Sequence, residues 1–88
     1  SALTGYREAL AIYRELAEVD RANASAQRTL AIGLENLAEA LVEDRQVDAA
    51  RTRYVEAVGI REALVARDPA SQRLSTELDL TRRVLESL

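Results

Sequence analysis

Acidic side chains recur at a regular spacing near the middle of the chain and are its clearest candidates for chemistry. Glu35, Glu39 and Glu43 stand four residues apart, and the segment 29–44 holds four acidic residues and no basic one. On a helix this spacing puts the carboxylates on one face, where like charges repel by about 0.2–0.5 kcal/mol per pair. Two such carboxylates could form an acid–base pair, or the strip could attract a basic partner.

The remaining residue types argue against catalysis. The 88 residues include no histidine and no cysteine, and all twelve basic residues are arginine. General acid–base catalysis near neutral pH usually recruits histidine, and a serine or threonine nucleophile needs an activating base. The segment 43–48, EDRQVD, lacks the alternating acidic pattern and the central glycine of a calcium loop. We therefore expect a non-enzymatic protein without catalytic residues, metal ligands or cofactors.

Charge and composition also restrict the partners and the location. The net charge is -3, and the pair Arg82 and Arg83 does not form the concentrated basic face that nucleic-acid binding requires. No stretch approaches the roughly 18 apolar residues of a membrane span. We expect a cytoplasmic protein that binds neither nucleic acid nor a membrane. The exclusive use of arginine is typical of a GC-rich bacterial genome. A start at Ser1 without any methionine is typical of a piece of a longer protein or of a processed product.

The apolar pattern predicts four helices. Stripes with spacings of three and four residues run over about 3–19, 25–44, 47–67 and 71–88. Asn23 or Ser25 is expected to cap the second helix and Ser71 the fourth, while Asp68 and Pro69 end the third. Because the connections are short, neighbouring helices should run antiparallel.

The first predicted helix carries two adjacent apolar stripes. One comprises Leu3, Tyr6, Leu10 and Tyr13, and the other comprises Ala9, Ile12, Leu16 and Val19. A helix that is apolar on two flanks is expected to have two neighbours.

The segments 6–23 and 54–71 are internal copies that lie 48 residues apart. Seven of their eighteen aligned positions are identical, including the pairs Tyr6/Tyr54 and Ile12/Ile60. Self-similarity at such a period predicts stacked structural units.

The order of large and small residues in the middle of the chain resembles the tetratricopeptide repeat. The positions that carry the resemblance are Leu34, Leu37, Ala38, Leu41, Ala50, Tyr54, Ala57 and Pro69. That family places small residues where two antiparallel helices touch and large residues between them. The resemblance implies an all-α fold in which antiparallel helix-turn-helix repeats stack as a short right-handed solenoid of four helices, with the first seven of these residues packing the repeat.

The chain departs from the family pattern at several positions. Leucines stand at the first large position and at one that is usually aromatic, Ala38 replaces the usual glycine, and Arg45 replaces the glycine of the turn between helices. The period is 48 residues instead of 34, and the difference amounts to about two helical turns per helix, which keeps the stripes in phase. The long period is similar to that of the tetratricopeptide arrays of large bacterial proteins, which implies a protein-binding arm beside signalling or effector domains.

The resemblance also implies a division of the chain. Residues 24–68 form one complete repeat, 1–20 the second helix of a preceding repeat, and 71–88 the first helix of the next. An ordinary four-helix bundle is the alternative fold. Its helices close into a ring, whereas in a stack the first helix barely touches the fourth.

In the tetratricopeptide fold the first helix of each pair lines a concave surface where partners bind. The resemblance places on this surface Ile32, Glu35, Glu39, Val42, Leu80, Arg83 and Ser87. Its acidic strip favours a basic protein or peptide segment as the partner. In the alternative interpretation the strip is a solvated face neutralised by arginines such as Arg51, Arg53 or Arg83.

Together these features predict a non-catalytic scaffold for protein–protein interaction within a larger protein. The alternative function is a structural oligomerisation module, because each end helix should expose a stripe that a neighbour normally covers. The residues expected to mediate such self-association are Leu3, Leu10, Leu74, Leu78 and Leu85. Fraying of the fourth helix is the other expected outcome.

Overall fold

The computed structural model describes all 88 residues and consists of four α-helices joined by short connections. They are α1 (Ala2–Val19), α2 (Ala24–Glu43), α3 (Val47–Arg67) and α4 (Gln72–Glu86). The predicted all-α class with four helices is confirmed, and the helix bounds lie within two residues of those predicted. None of the four helices is both long enough and apolar enough to cross a bilayer.

Side-chain caps fix the start of three helices. The side-chain oxygens of Ser1, Asn23 and Ser71 accept hydrogen bonds from backbone N–H groups in the first turns of α1, α2 and α4. Of the two candidates for capping α2, Asn23 is therefore the one used. α3 begins after Gln46 without a side-chain cap.

The turn between α2 and α3 depends on a left-handed residue. Arg45 has a φ of 61°, and it is the only non-glycine residue with a positive φ. The N–H of Gln46 bonds the carbonyl of Leu41 at 2.8 Å, and the N–H of Arg45 bonds that of Val42 at 3.0 Å. These two bonds form a Schellman motif, in which glycine is the usual left-handed residue. Holding arginine there costs about 1 kcal/mol.

The helices pack in chain order. Extensive contacts join α1 to α2, α2 to α3, and α3 to α4, whereas α1 and α4 share no such contact. The helices therefore do not close into the ring of a four-helix bundle. The molecule measures 37 × 30 × 16 Å, so it is flat.

The core lies along α2 and the facing side of α3. The seven residues named above for repeat packing are all buried: Leu34, Leu37, Ala38, Leu41, Ala50, Tyr54 and Ala57. The three alanines have no exposed surface, which permits close approach of the two backbones. Tyr54 fills the space between the helices.

Candidate functional site

A groove between α2 and α4 contains part of the predicted acidic strip. We call it the α2–α4 groove, and it has a volume of about 180 Å³. It is lined by Glu35, Glu39, Tyr54, Leu80, Thr81 and Val84. α2 and α4 are alternate helices of the stack, and α3 closes the groove from below with Tyr54.

A buried arginine underlies the groove. The side chain of Arg61 from α3 is only 5% exposed. Its Nε and Nη2 donate to the two carboxylate oxygens of Glu35 at 2.6 and 3.0 Å, and its Nη1 donates to Glu77 at 3.2 Å. The hydroxyl of Thr81 lies 3.0 Å from the carboxylate of Glu35. One cation thus joins α2, α3 and α4.

A second arginine completes this cluster. Nε of Arg28 donates to both carboxylate oxygens of Glu77, at 2.9 and 3.2 Å. This hydrogen bond holds the pKa of Glu77 below its ordinary value and raises the pKa of Arg28. We call Arg28, Glu35, Arg61 and Glu77 the charge cluster. It contains two positive and two negative side chains, and no buried polar side-chain atom in the chain lacks a partner. Such an arrangement fixes three helices relative to each other.

Glu39 differs from Glu35 because it is exposed and forms no ion pair. Its carboxylate lies at the groove beside Tyr54, and burial together with the charges of Glu39 and Glu35 raises the pKa of the Tyr54 hydroxyl. Glu43 is also exposed and unpaired, but it lies outside the groove. The acidic strip therefore splits into one neutralised carboxylate and two free ones.

The arginines named in the alternative interpretation do not neutralise the strip, so that choice of residues was wrong. Each pairs with an acidic residue three or four positions away on its own helix: Arg51 with Asp48, Arg53 with Glu56, and Arg83 with Asp79. Glu35 pairs instead with Arg61, which lies 26 residues away along the chain.

The structure brings together only some of the residues assigned to the concave surface. Glu35, Glu39 and Leu80 line the α2–α4 groove. The residues outside it are Ile32, Val42, Arg83 and Ser87. Val42 is half-buried against the core, and the hydroxyl of Ser87 donates to the backbone carbonyl of Val84.

Sequence reasoning missed Arg61, which is the central residue of the cluster. A signal for it did exist, because it continues the buried stripe of α3 in the order Ala50, Tyr54, Ala57, Arg61 and Leu64. An arginine on a buried stripe indicates an acidic partner in a neighbouring helix.

A larger groove of about 590 Å³ lies between α1 and α3. Its apolar floor includes Ala17, Leu30, Ile60 and Leu64, and its charged rim includes Arg14, Glu18, Arg21, Glu56 and Arg67. Most of the rim charges are already engaged. Arg14 bonds Glu56, which raises the pKa of Arg14, and Arg67 donates to the backbone carbonyl of Ala22. The two others, Glu18 and Arg21, have opposite signs, whereas Arg67 keeps its charge because its acceptor is a neutral carbonyl, so the rim has a net charge of +1.

The predicted self-association surface is wrong for Leu10 and Leu78, and for Leu3, Leu74 and Leu85 it stays a prediction. Leu10 and Leu78 are buried, and Leu3, Leu74 and Leu85 are half-buried. The large apolar side chains that the end helices expose are Tyr6, Ile12, Leu16, Val19, Leu80 and Val84.

Comparison with protein-family models, with curated proteins and with solved structures finds no match for this chain. Nowhere do three or more acidic side chains converge closely enough to hold a metal ion.

Proposed function

We propose that the chain is a protein-binding segment that holds a short basic and apolar peptide in the α2–α4 groove. The observation that carries this proposal is the free carboxylate of Glu39 beside two exposed apolar side chains, Leu80 and Val84. A carboxylate without an internal partner attracts a cation, and the neighbouring apolar surface gains free energy when a partner covers it.

The size of the groove supports a peptide side chain as its occupant. Small-molecule sites usually measure about 300–1,000 Å³, whereas the α2–α4 groove measures about 180 Å³. One lysine or arginine side chain next to one leucine or valine fits this space and matches its lining. The groove also lies on a rigid support, because the charge cluster fixes both of its walls.

The arrangement of the helices supports the same proposal. Helices that pack in chain order present an extended surface on each side, and repeat proteins use such surfaces to bind other proteins. Within this proposal the chain is a tetratricopeptide-type scaffold without chemistry of its own. Residues 24–68 are then its complete repeat.

Selection from a displayed library of random peptides tests the proposal. We expect the selected peptides to share a lysine or arginine next to leucine or valine. The substitution Glu39→Gln should then weaken binding about fivefold, which corresponds to about 1 kcal/mol, and it should reduce the dependence of the affinity on salt.

Glu43→Gln is the matched control, because Glu43 is an equally free carboxylate on the same helix but lies outside the groove. It should leave the affinity unchanged. Peptides without a preference for basic residues, or equal effects of the two substitutions, would contradict the proposal.

A further inference from the structure

Two adjoining grooves run along the cleft between α1 and α3. The first is the groove of about 590 Å³ described above, and the second, of about 360 Å³, lies near the start of both helices. They adjoin because Arg53, which lines the second groove, forms an ion pair with Glu56, which lines the first. We call both grooves together the α1–α3 trough. Its walls are α1 and α3, and its floor is α2 with Leu30, Leu37 and Leu41.

The α1–α3 trough is basic, although the protein as a whole is acidic. Five arginines and two glutamates line it, which gives it a net charge of +3, whereas the whole chain has a net charge of -3. These charged residues are Arg7, Arg14, Arg21, Arg53, Arg67, Glu18 and Glu56. Basic and acidic surfaces are therefore separated on this molecule, and the trough favours an acidic partner.

The excess positive charge lies at the two ends of the trough. Arg7 and Arg53 line one end, and Arg21 and Arg67 line the other. Arg7 and Arg21 are exposed and form no ion pair, and Arg67 donates to the neutral carbonyl of Ala22. Arg53 and Arg67 stand 14 residues apart on α3, so the two ends are about 21 Å apart. An ion pair between α1 and α3 occupies the middle.

The internal repeat indicates that packing does not require these arginines. The residues 48 positions after Arg7, Arg14 and Arg21 are a valine, a glutamate and a proline. The apolar pattern of α1 thus recurs in α3, but its row of arginines does not. The arginines therefore belong to the surface of the trough and not to the pattern that packs the helices.

The repeat also indicates that further repeats would leave the trough open. A helix that preceded α1 in such a stack would cover the copies of the α3 residues that are buried against α2. These copies are Ala2, Tyr6, Ala9, Tyr13 and Leu16. None of them lines the trough, so its walls and its floor are complete within the chain.

We propose that the α1–α3 trough binds an amphipathic helix of another protein, which carries acidic residues about four turns apart and apolar residues between them. On a helix, acidic residues 14 positions apart lie about 21 Å apart on nearly the same face, which matches the two basic ends. The exposed wall residues Ala49 and Ala63 are small, so a helix can approach closely. Laying an amphipathic helix into an apolar groove is a recurrent mode of recognition.

The proposal does not rest on the α2–α4 groove. At 100° per residue, Leu30 and Leu37 of the trough and Glu35 and Glu39 of the groove lie on opposite faces of α2. The two surfaces also differ in the sign of their free charge. Each can therefore be tested without the other.

Two synthetic peptides of about 18 residues test the proposal by fluorescence anisotropy with the full chain. Both have leucine and alanine along one helix face and two charged residues in the first turn and in the last. One peptide carries glutamates at these places and the other carries lysines. We expect the glutamate peptide to bind about tenfold more tightly or better, and salt to weaken it. No binding of the glutamate peptide at about 1 mM, or equal affinities of the two peptides, would overturn the proposal.

Substitutions at the two ends locate the site. The double variant Arg7→Gln, Arg21→Gln should weaken the glutamate peptide about tenfold, and it should keep its fold because neither arginine has an internal ion pair. Arg82→Gln with Arg83→Gln is the matched control, because both arginines are exposed on α4 outside the trough. It makes the same change in net charge and should leave the affinity unchanged. So should Glu39→Gln, which separates this site from the α2–α4 groove.

A substitution in the wall tests whether the partner lies inside the trough. Ala63→Glu fills part of the trough and repels an acidic helix, so it should weaken the glutamate peptide about tenfold or more. Ala66→Glu is the matched control, because Ala66 is an exposed alanine of the same helix that does not line the trough. Circular dichroism shows whether each variant keeps its helices. Equal effects of the two alanine variants would overturn the proposal, and so would binding of anionic lipid vesicles or single-stranded DNA in place of the glutamate peptide.

Discussion

Arg61 is the one charged residue of this protein that is buried. Its guanidinium is almost completely buried and bonds two carboxylates on two different helices. A buried ion pair recovers its desolvation cost only when its geometry is good and its remaining hydrogen-bonding groups are satisfied. Here the hydrogen bonds of Arg61 to Glu35 and Glu77 meet both conditions. Removing one of the three groups would therefore leave a buried charge without its partner.

Replacing Arg61 with methionine should lower the free energy of unfolding by about 3–5 kcal/mol. The methionine keeps much of the volume, but it leaves Glu35 without its bidentate partner in a half-buried position. Because small domains have only about 5–15 kcal/mol of stability in total, the loss should be evident in a urea titration followed by circular dichroism.

Arg82→Met is the control for this experiment. Arg82 also pairs with a glutamate of another helix, Glu62 on α3, but both side chains are about half exposed. An exposed pair contributes at most about 1 kcal/mol, so this substitution should have a small effect. Equal losses in the two variants would show that burial does not decide the importance of Arg61.

The sequence could predict that the glutamates of the acidic strip share a helix face, but not which of them is paired with an arginine. Spacing alone placed Glu35 and Glu39 on one face of a helix, and that is correct. Which of them is neutralised depends on where α3 and α4 cross α2, and that is decided by tertiary packing. The arginines named from the sequence, Arg51, Arg53 and Arg83, pair within their own helices. The relevant partner, Arg61, comes from another helix.

Among the helix contacts, the approach of α1 to α2 is controlled by a glycine. A Cβ atom built at Gly33 would lie 2.7 Å from a ring carbon of Tyr13. That distance is well below van der Waals contact, so the tyrosine ring fits only because the glycine has no side chain. Gly33 is buried in the middle of α2, where glycine is otherwise unfavourable by about 1 kcal/mol relative to alanine.

Gly33→Ala should therefore destabilise the protein by about 1–3 kcal/mol, because the overpacking outweighs the better helix propensity of alanine. Thermal unfolding provides the measurement. A decrease in the melting temperature of several degrees is expected for a domain of this size.

Gly59→Ala should have the opposite sign. Gly59 lies in the middle of α3, and an added Cβ would meet no atom within 4 Å. The substitution should stabilise the protein by about 0.5–1 kcal/mol through helix propensity alone. If both variants shift the melting temperature in the same direction, the contact with Tyr13 does not determine the spacing between α1 and α2.

The ends of the helices could be predicted from the sequence because local chemistry decides them. Capping by Asn23 and Ser71 and the stop at Asp68 before Pro69 need no information from the rest of the fold. The turn at Arg45 is a partial exception. The family resemblance marked a position where glycine is usual, and the positive φ there agrees with it.

At the scale of the whole molecule, the order of packing agrees with the prediction from the internal repeat. The repeat predicted that consecutive helices pack on one another, and the four helices do contact one another in chain order. The exposure of the end helices was not predictable in the same way. Leu10 and Leu78 proved to be buried because they face the one neighbour of each end helix, whereas Leu16 and Leu80 are exposed.

The charge cluster also determines how the whole stack should respond to acid. The pKa of Glu77 in the folded protein lies below its ordinary value of about 4.5 because Arg28 donates hydrogen bonds to its carboxylate. A carboxylate with a depressed pKa stabilises the fold above its unfolded pKa, and this contribution is lost as the pH falls through the folded value. We therefore expect the free energy of unfolding to decrease below about pH 4.5.

Urea titrations between pH 7 and about pH 3 measure this dependence. Glu77→Gln should be less stable than the unsubstituted chain at pH 7 and should lose less stability on acidification, because glutamine has no proton to gain. Glu62→Gln removes a carboxylate from the exposed pair with Arg82 and should retain most of the acid dependence. The two glutamate variants thus separate two contributions to the acid response. One comes from the carboxylate that joins α4 to both α2 and α3, and the other comes from a carboxylate at the surface. If the free energy of unfolding of Glu77→Gln fell with pH as steeply as that of the unsubstituted chain, acid would act on the stack through other carboxylates.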